Sequence, residues 1–140
     1  MTSFDPSAQA SGRTHARLRL SHPHLEPAEV TRRLGVEPTM SWKSGDLKGN
    51  GGHGHRHKDG GWWLDTRWLD SDDLNVVLGE LAEAVELFAD QLHALTSEGV
   101  DAEVFCYWES AISAGPWVEP SVMGSLASHG LPLQIGRAHV

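Results

Sequence analysis

This chain of 140 residues is poor in cysteine and lacks long apolar runs. Its second half also contains few basic residues. Cys106 is the sole cysteine, which excludes an internal disulfide, a cysteine-rich zinc site and a CxxC redox pair. No apolar run approaches the roughly 20 residues that cross a bilayer, and the segment around Asp5 lacks the apolar core of a secretory signal. We therefore expect a cytoplasmic protein with no membrane partner.

Charge is distributed unevenly along the sequence, with a formal net charge of -8. Residues 1–67 carry ten Lys or Arg and seven Asp or Glu side chains, whereas residues 68–140 carry Arg137 and twelve acidic side chains. Excess negative charge repels nucleic acids, so none is expected as a partner. Two interpretations of the acidic half stay open: a solvated surface that confers solubility, or a face that attracts a basic protein.

Residue periodicity predicts one folded domain. Residues 1–14 contain a single large apolar residue, Phe4, and are predicted to be a disordered leader, while 15–140 form the domain. Alternating apolar residues predict strands, and spacings of three and four predict helices. The resulting order is β-α-β-β-α-β, then a short helix and a closing strand; the predicted strands cover 15–20, 40–42, 62–68, 101–109 and 131–135.

The clearest periodicity predicts one long helix between Ser71 and Gly99, of about six turns. Its apolar stripe consists of Leu74, Val77, Leu78, Leu81, Val85, Phe88, Leu92 and Leu95. Its acidic stripe consists of Glu80, Glu83, Glu86 and Asp90. Such a helix lies on a sheet with its carboxylates in water. We therefore predict an α+β fold: a two-layer sandwich with helices on one face of a mostly antiparallel sheet, similar to a ferredoxin-like core with a C-terminal extension.

Several spaced segments also resemble one bacterial family. They are LEPAEVTRRLGVEPT, Ser44-Gly45-Asp46, a glycine-rich gap, Gly61-Trp62-Trp63-Leu64, the amphipathic helix, the strand FCYW and the final L-P-L-x-I. Over about residues 15–138 the chain is similar to the bacterial domain of unknown function 4279. The resemblance implies the fold and a bacterial setting, and it carries no established chemistry. Immunity against a toxin is an expectation for members of this class that lie near toxin genes.

Three histidines alternate within the glycine-rich segment 47–61. In an extended chain, His53, His55 and His57 would face one way and could share a zinc, nickel or copper ion. Glycines flank them on both sides, so the alternative is a flexible loop that binds such metals only adventitiously. No cofactor is otherwise expected.

Six tryptophans are present, a high number for 140 residues, and core packing explains most of them. Trp63 and Trp117 are candidates for an exposed aromatic anchor, the residue type that dominates binding hot spots. Trp63, Asp65 and Arg67 have the same parity on the predicted third strand and form the patch expected to contact a protein partner, together with the acidic stripe. A ligand site is the alternative, formed by Trp42, Ser44, Gly45 and Asp46.

No catalytic arrangement is recognisable in the sequence. Cys106 alternates with Val104 and Trp108, which favours a buried, inert thiol. A GxGxxG after a strand, a phosphate loop and HExxH are all missing. We therefore expect a non-enzymatic domain that binds a protein, plausibly a basic toxin. The alternatives are a small-molecule or metal-binding protein built on the 49–61 loop, and a domain that associates with itself.

Overall fold

A computed structural model describes residues 12–49, 54–110 and 115–137. The described strands are β1 (Gly12–His22), β2 (Met40–Trp42), β3 (Gly60–Asp65), β4 (Asp101–Ser110) and β5 (Leu133–Arg137). The described helices are α1 (Pro27–Leu34), α2 (Leu74–Leu87), α3 (Ala89–Ser97) and α4 (Pro120–Ser128). The fold is α+β, as predicted.

The strands form one five-stranded sheet in the order β2-β3-β1-β4-β5. β1 pairs antiparallel with β3 and β4, and β2 pairs antiparallel with β3. β5 joins the edge of β4 in parallel. The prediction of a mostly antiparallel sheet is therefore confirmed, and the interior position of β4 explains why apolar side chains occur on both of its faces.

The helices pack on the sheet face that carries Ala16, Leu18 and Leu20, all fully buried. Trp62 and Val104, from the neighbouring strands, lie on the same face and are also fully buried. Each large apolar side chain removed from water in this way contributes about 1.5–3 kcal/mol to folding. This layer holds the sheet rigid and leaves its other face uncovered by the described helices.

The predicted long helix is two helices, a correction to the sequence interpretation. Phe88, with φ -132° and ψ 27°, separates α2 from α3. Its N–H bonds to the Val85 carbonyl at 3.0 Å, and the next turn begins when Leu92 N–H bonds to the Phe88 carbonyl at 2.9 Å. The apolar stripe from Leu74 to Leu95 is buried on both helices. Because the spacing of three and four continues through Phe88, periodicity gives no sign of the break.

β1 begins at Gly12, three residues before the predicted domain boundary at His15. Thr14 exchanges backbone hydrogen bonds with Leu69 at 2.9 Å in both directions, and it pairs with Trp108 of β4 on its other side. The composition of the first residues does not reveal this pairing. The rest of the predicted leader, 1–11, lies outside the described residues.

β3 ends at Asp65 and not at Trp68, so a second prediction is wrong. Thr66 still bonds to β1, through its N–H to the Ala16 carbonyl at 2.8 Å and its Oγ1 from the Ala16 N–H at 2.9 Å. Beyond Thr66 the alternation stops. Alternation continued over the predicted strand 62–68 would put Trp68 on the face of Trp62, but Trp68 crosses to the opposite face and stacks on His15.

None of the described helices has the length and apolar character that a membrane span requires, and the longest, α2, has 14 residues.

Candidate functional site

The sheet face opposite the helices carries alternating aromatic and charged side chains. We call it the open face and define it by Arg17, Arg19, Trp63, Asp65, Phe105 and Tyr107. Register places Arg17 between Asp65 and Phe105, and places Arg19 beside Trp63. Residues directly opposite in antiparallel strands share a face. The strand alternation itself therefore assembles this surface.

A partly buried ion pair lies in the middle of the open face. Arg17 Nε donates to Asp65 Oδ1 at 2.7 Å, and Arg17 Nη2 donates to Oδ2 at 3.0 Å. His15 Nε2 lies 3.4 Å from the same Oδ2. Burial opposes ionisation of Asp65, but its contacts with His15 and Arg17 outweigh burial and lower its pKa to about 2. Burial likewise disfavours charge on Arg17, yet Asp65 raises the pKa of Arg17. The pair is therefore ionised near neutral pH.

Aromatic rings hold the arginines of the open face in place. The Arg17 guanidinium lies 4.0 Å from the centre of the Trp63 ring, and the Arg19 guanidinium lies 4.3 Å from that of Phe105. Tyr107 joins the two groups, because its ring meets Phe105 edge-on at 4.8 Å and its hydroxyl lies 3.4 Å from Arg17 Nη1. Each cation–π contact contributes roughly 0.5–2 kcal/mol. Contacts within the domain therefore hold the cluster in place.

One end of the open face is covered. Trp68 stacks on His15 with ring centres 4.6 Å apart, and Arg13 lies 4.4 Å from the Trp68 ring centre. His15 is only 2% exposed as a result, although its strand position points it away from the core. This cover has no signal in the sequence, because Trp68 lies beyond the end of β3 and strand alternation does not set its position.

The other end of the open face contains a cavity of about 560 Å³, which we call the tryptophan cavity. Trp42 and Trp63 form one side and meet edge to face at 4.8 Å. Trp42 lies directly on Gly61, where an added Cβ would stand 2.2 Å from its ring. Its Nε1 donates to the Asp59 carbonyl at 3.0 Å, and His57 stacks on it at 4.3 Å. The other lining residues are Arg19, Leu20, Ser21, Asp101, Ala102, Glu103 and Pro132.

The sequence model of a domain of unknown function, DUF4279, matches residues 12–136. The chain belongs to this family. The matched region begins at the first residue of β1 and ends inside β5, so the open face of this DUF4279 domain lies entirely within it. No curated protein and no solved structure matches the chain.

The predicted patch of the DUF4279 domain is only partly assembled. Trp63 and Asp65 lie together on the open face, but Arg67 bonds through two nitrogens to Glu80 of α2, at 3.2 Å each. Arg67 follows the last residue of β3, so it no longer obeys strand alternation. Trp117 is 65% exposed, and its carbonyl accepts a hydrogen bond from Asn75 of α2. Arg67 and Trp117 therefore belong to the helix layer.

The acidic stripe is partly engaged within the domain. Glu80 pairs with Arg67, and His129 Nε2 lies 2.7 Å from Glu86 Oε1. Glu83 and Asp90 are exposed. About half of the predicted acidic surface thus stabilises contacts between helices and loops of the DUF4279 domain.

The predicted ligand-binding turn uses its polar groups internally. Ser44 Oγ donates to the Lys58 carbonyl at 2.8 Å, and Asp46 Oδ2 accepts from the Lys43 N–H at 2.8 Å. Gly45 adopts φ 91°, a left-handed conformation that glycine tolerates. Asp46 and Trp42 line a second depression of about 510 Å³ beside α1, and Asp46 does not reach the tryptophan cavity.

The histidine loop is described in part. His53 lies outside the described residues, so the metal site predicted for His53, His55 and His57 stays a prediction. His57 stacks on Trp42. Within residues 12–49, 54–110 and 115–137, no three His, Cys, Asp or Glu side chains converge as metal ligands.

Cys106 is fully buried on the core face. Its thiol donates to the Gln134 carbonyl at 3.7 Å, and burial raises its pKa to about 12. A thiol in this state is not a nucleophile near neutral pH.

Proposed function

We propose that this DUF4279 domain is a non-enzymatic binding domain that holds a protein partner on its open face. The observation that carries the proposal is the stacked cluster of Trp63, Arg17 and Tyr107 on a sheet face that the described helices leave uncovered. Tryptophan, tyrosine and arginine are the residues most enriched in binding hot spots.

Rigidity of the cluster supports the proposal. Ordering a long side chain on association costs about 0.5–1.5 kcal/mol. Asp65 and the aromatic rings already fix Arg17, so a partner meets a surface whose side chains lose little further freedom.

The position of the acid–base pair formed by His15 and Asp65 also favours binding over catalysis. His15 contacts Asp65, as a general base and its orienting carboxylate would. Trp68 covers this histidine, and a side chain only 2% exposed does not reach a substrate.

Charge supports a basic partner in a bacterial cytoplasm, and a neutralised toxin is the most specific form of the proposal. The net charge of -8 attracts cationic proteins and speeds their encounter. The strand order β2-β3-β1-β4, with a helix after β1 and helices after β3, further supports a ferredoxin-like core as the scaffold.

The proposal is tested by capturing partners on the immobilised full chain, from native lysate and with the product of each neighbouring gene. Trp63→Ala is expected to lose the partner. Leu87→Ala removes a large apolar side chain that is 88% exposed on α2 and is expected to retain it.

A double charge reversal, Glu83→Lys with Asp90→Lys, separates the open face from the acidic stripe. If this variant still captures the partner, binding takes place on the open face. If it no longer captures the partner but Trp63→Ala does, the site lies on the helices. Light scattering adds a third arm. If the chain forms a stable dimer and captures no other protein, the proposal is wrong and the domain associates with itself.

A further inference from the structure

Two histidines meet on the helix layer. His93 lies on α3, and His129 follows the last residue of α4. His93 Nε2 and His129 Nδ1 are 3.3 Å apart, and the two ring centres are 5.3 Å apart. The other ring nitrogen of His129, Nε2, lies 2.7 Å from Oε1 of Glu86, in the last turn of α2. One imidazole therefore connects α2, α3 and the end of α4.

The carboxylate of Glu86 determines where the protons of this chain lie. An ionised carboxylate only accepts hydrogen bonds, so His129 Nε2 carries a proton and donates it to Glu86. In neutral His129 the remaining nitrogen, Nδ1, is then an acceptor, and the Nε2–H of His93 donates to it. A single proton therefore lies between the two rings.

One added proton leaves the contact between the rings intact. Its positive charge belongs on His129, because Glu86 lies against this ring and the C-terminal end of α4 also stabilises a cation. His129 Nδ1 becomes a donor, and His93 accepts through Nε2 once its own proton has moved to Nδ1. The hydrogen bond persists with its direction reversed.

A second added proton is incompatible with the contact. When both imidazoles are charged, every ring nitrogen carries a proton, so two N–H groups and two positive charges face each other. His129 stays in place, because only 9% of its side chain is exposed and Glu86 binds it. His93 is exposed and turns into water. Asp90, three residues earlier on the same side of α3, offers the charged ring a new partner.

The helices around the two rings add only negative charge. Apart from the histidines themselves, the titratable side chains of α2, α3 and α4 are Glu80, Glu83, Glu86 and Asp90. Glu80 is paired with Arg67, whereas Glu83 and Glu86 line the groove between α2 and α4. α4 itself contains no titratable side chain. These carboxylates favour positive charge on both histidines and so promote the doubly protonated state.

From this geometry we propose that His93 and His129 form a pH-sensitive switch between α3 and the end of α4. The contact is closed while one proton lies between the two rings, and it opens when both imidazoles are protonated. Opening removes one of the two ring contacts of His129 and loosens the last turn of α4, where Leu131 N–H bonds to the Leu126 carbonyl at 3.0 Å. Acid thereby acts on the segment that leads into β5. The switch does not depend on the open face.

Amide hydrogen exchange of the full chain tests the switch, with the Leu131 N–H as reporter and protection factors that remove the intrinsic effect of pH. In wild type we expect the protection of Leu131 to fall several-fold between about pH 7.5 and about pH 5, the range in which histidine takes up protons. His93→Ala lacks the contact at both pH values and should show the lower protection at both. His24→Ala removes another exposed histidine, is the matched control and should behave as wild type.

Glu86→Gln separates charge from hydrogen bonding. Glutamine still accepts from His129 Nε2, but a neutral amide no longer favours positive charge on the two rings, so opening should move to lower pH. NMR spectra of each variant report whether it is folded. Constant protection of Leu131 in wild type, an equal fall in His93→Ala, low protection at both pH values in His24→Ala, or opening at higher pH in Glu86→Gln would each overturn the inference.

Discussion

At the scale of single residues, Asp65 sets the charge balance of the open face. It accepts hydrogen bonds from Arg17 and lies next to the buried His15, so a single carboxylate fixes two side chains of β1. Without it, Arg17 would be a partly buried cation with no anion beside it. Removing one partner of such a pair costs more than the pair contributes.

Asp65→Asn is expected to destabilise the fold by about 2 kcal/mol at neutral pH, the scale of a hydrogen bond to a charged group. The pKa of Asp65 falls from 3.8 to about 2 on folding, so its ionised form stabilises the native state fully above pH 3.8. This contribution is lost as pH falls towards 2. Urea unfolding of wild type and variant over this range should show the difference between them shrinking.

Glu83→Gln, an exposed neutralisation in the interior of α2, is the control and should leave the free energy of unfolding nearly unchanged. A constant difference between wild type and Asp65→Asn from neutral to acid pH would contradict the role assigned to the ionised carboxylate.

Sequence reasoning placed Trp63 and Asp65 on one face because strand alternation is local. It failed for Arg67 and Trp68, which follow the end of β3, and a strand end is set by tertiary pairing. It also missed Arg17 and Tyr107 as members of the site. Alternation showed that they point away from the core, but their meeting depends on the register of β1 with β4.

At the scale of elements, two strands carry a glycine where an aromatic ring from the neighbouring strand covers the backbone. Gly61 of β3 lies under Trp42, and Gly136 of β5 lies under Phe105. Aromatic cover of this kind compensates for the weak strand preference of glycine. The close approach fixes the height of each ring above the sheet.

Gly61→Ala is expected to destabilise the domain by about 1–3 kcal/mol, the usual cost of overpacking, and to displace Trp42 from the tryptophan cavity. Gly79→Ala is the matched change inside α2, where an added Cβ meets nothing within 4 Å. It should stabilise the domain by up to about 1 kcal/mol, because alanine has the higher helix propensity.

Denaturant unfolding measures the loss of stability in Gly61→Ala and the gain in Gly79→Ala. The Trp42 indole N–H signal in NMR spectra reports the displacement of the ring. An unchanged signal together with unchanged stability in Gly61→Ala would contradict the close packing of Trp42 on Gly61.

Element types were predictable wherever a local signal marked them. Pro27 begins α1 and Gly35, in a left-handed conformation, follows its last residue, and both residue types mark helix ends in a sequence. The break at Phe88 was not predictable, since the apolar spacing runs through it without interruption.

At the scale of the whole molecule, charge is the property that a partner meets first. The net charge is -8, and basic side chains are concentrated in the first half of the sequence. In the fold that half supplies β1, β2 and β3, while α2, α3 and β4 come from the acidic half. The two halves meet at the β1–β4 ladder, where Arg19 pairs with Glu103.

If the partner is basic, its association rate constant should fall at least about tenfold when ionic strength rises from about 0.05 M to about 0.5 M, because salt screens long-range attraction. The dissociation rate constant should change much less, since contacts at short range are screened weakly. Stopped-flow or surface binding kinetics with the captured partner measure both. An association rate independent of salt would contradict electrostatic attraction as the basis of encounter.

The sheet could be predicted as mostly antiparallel because its strands alternate in and out along their length. The parallel addition of β5 to β4 was not predictable, since Leu131 to Ile135 reads as a strand with no signal for direction or neighbour. The connection from β4 to β5 contains α4, which packs against α2, and a contact between distant elements leaves no signal in the local pattern.

The central position of β1 bears on how the chain is made. Leu18 and Leu20 leave the ribosome early, yet they pair with Val104 and Ala102, more than 80 residues later. At about 5–20 residues per second, translation takes on the order of ten seconds to deliver that partner. Throughout this interval the two leucines lack their final strand partners, so the β1–β4 ladder at the centre of the sheet closes only after the intervening helices and strands have been synthesised.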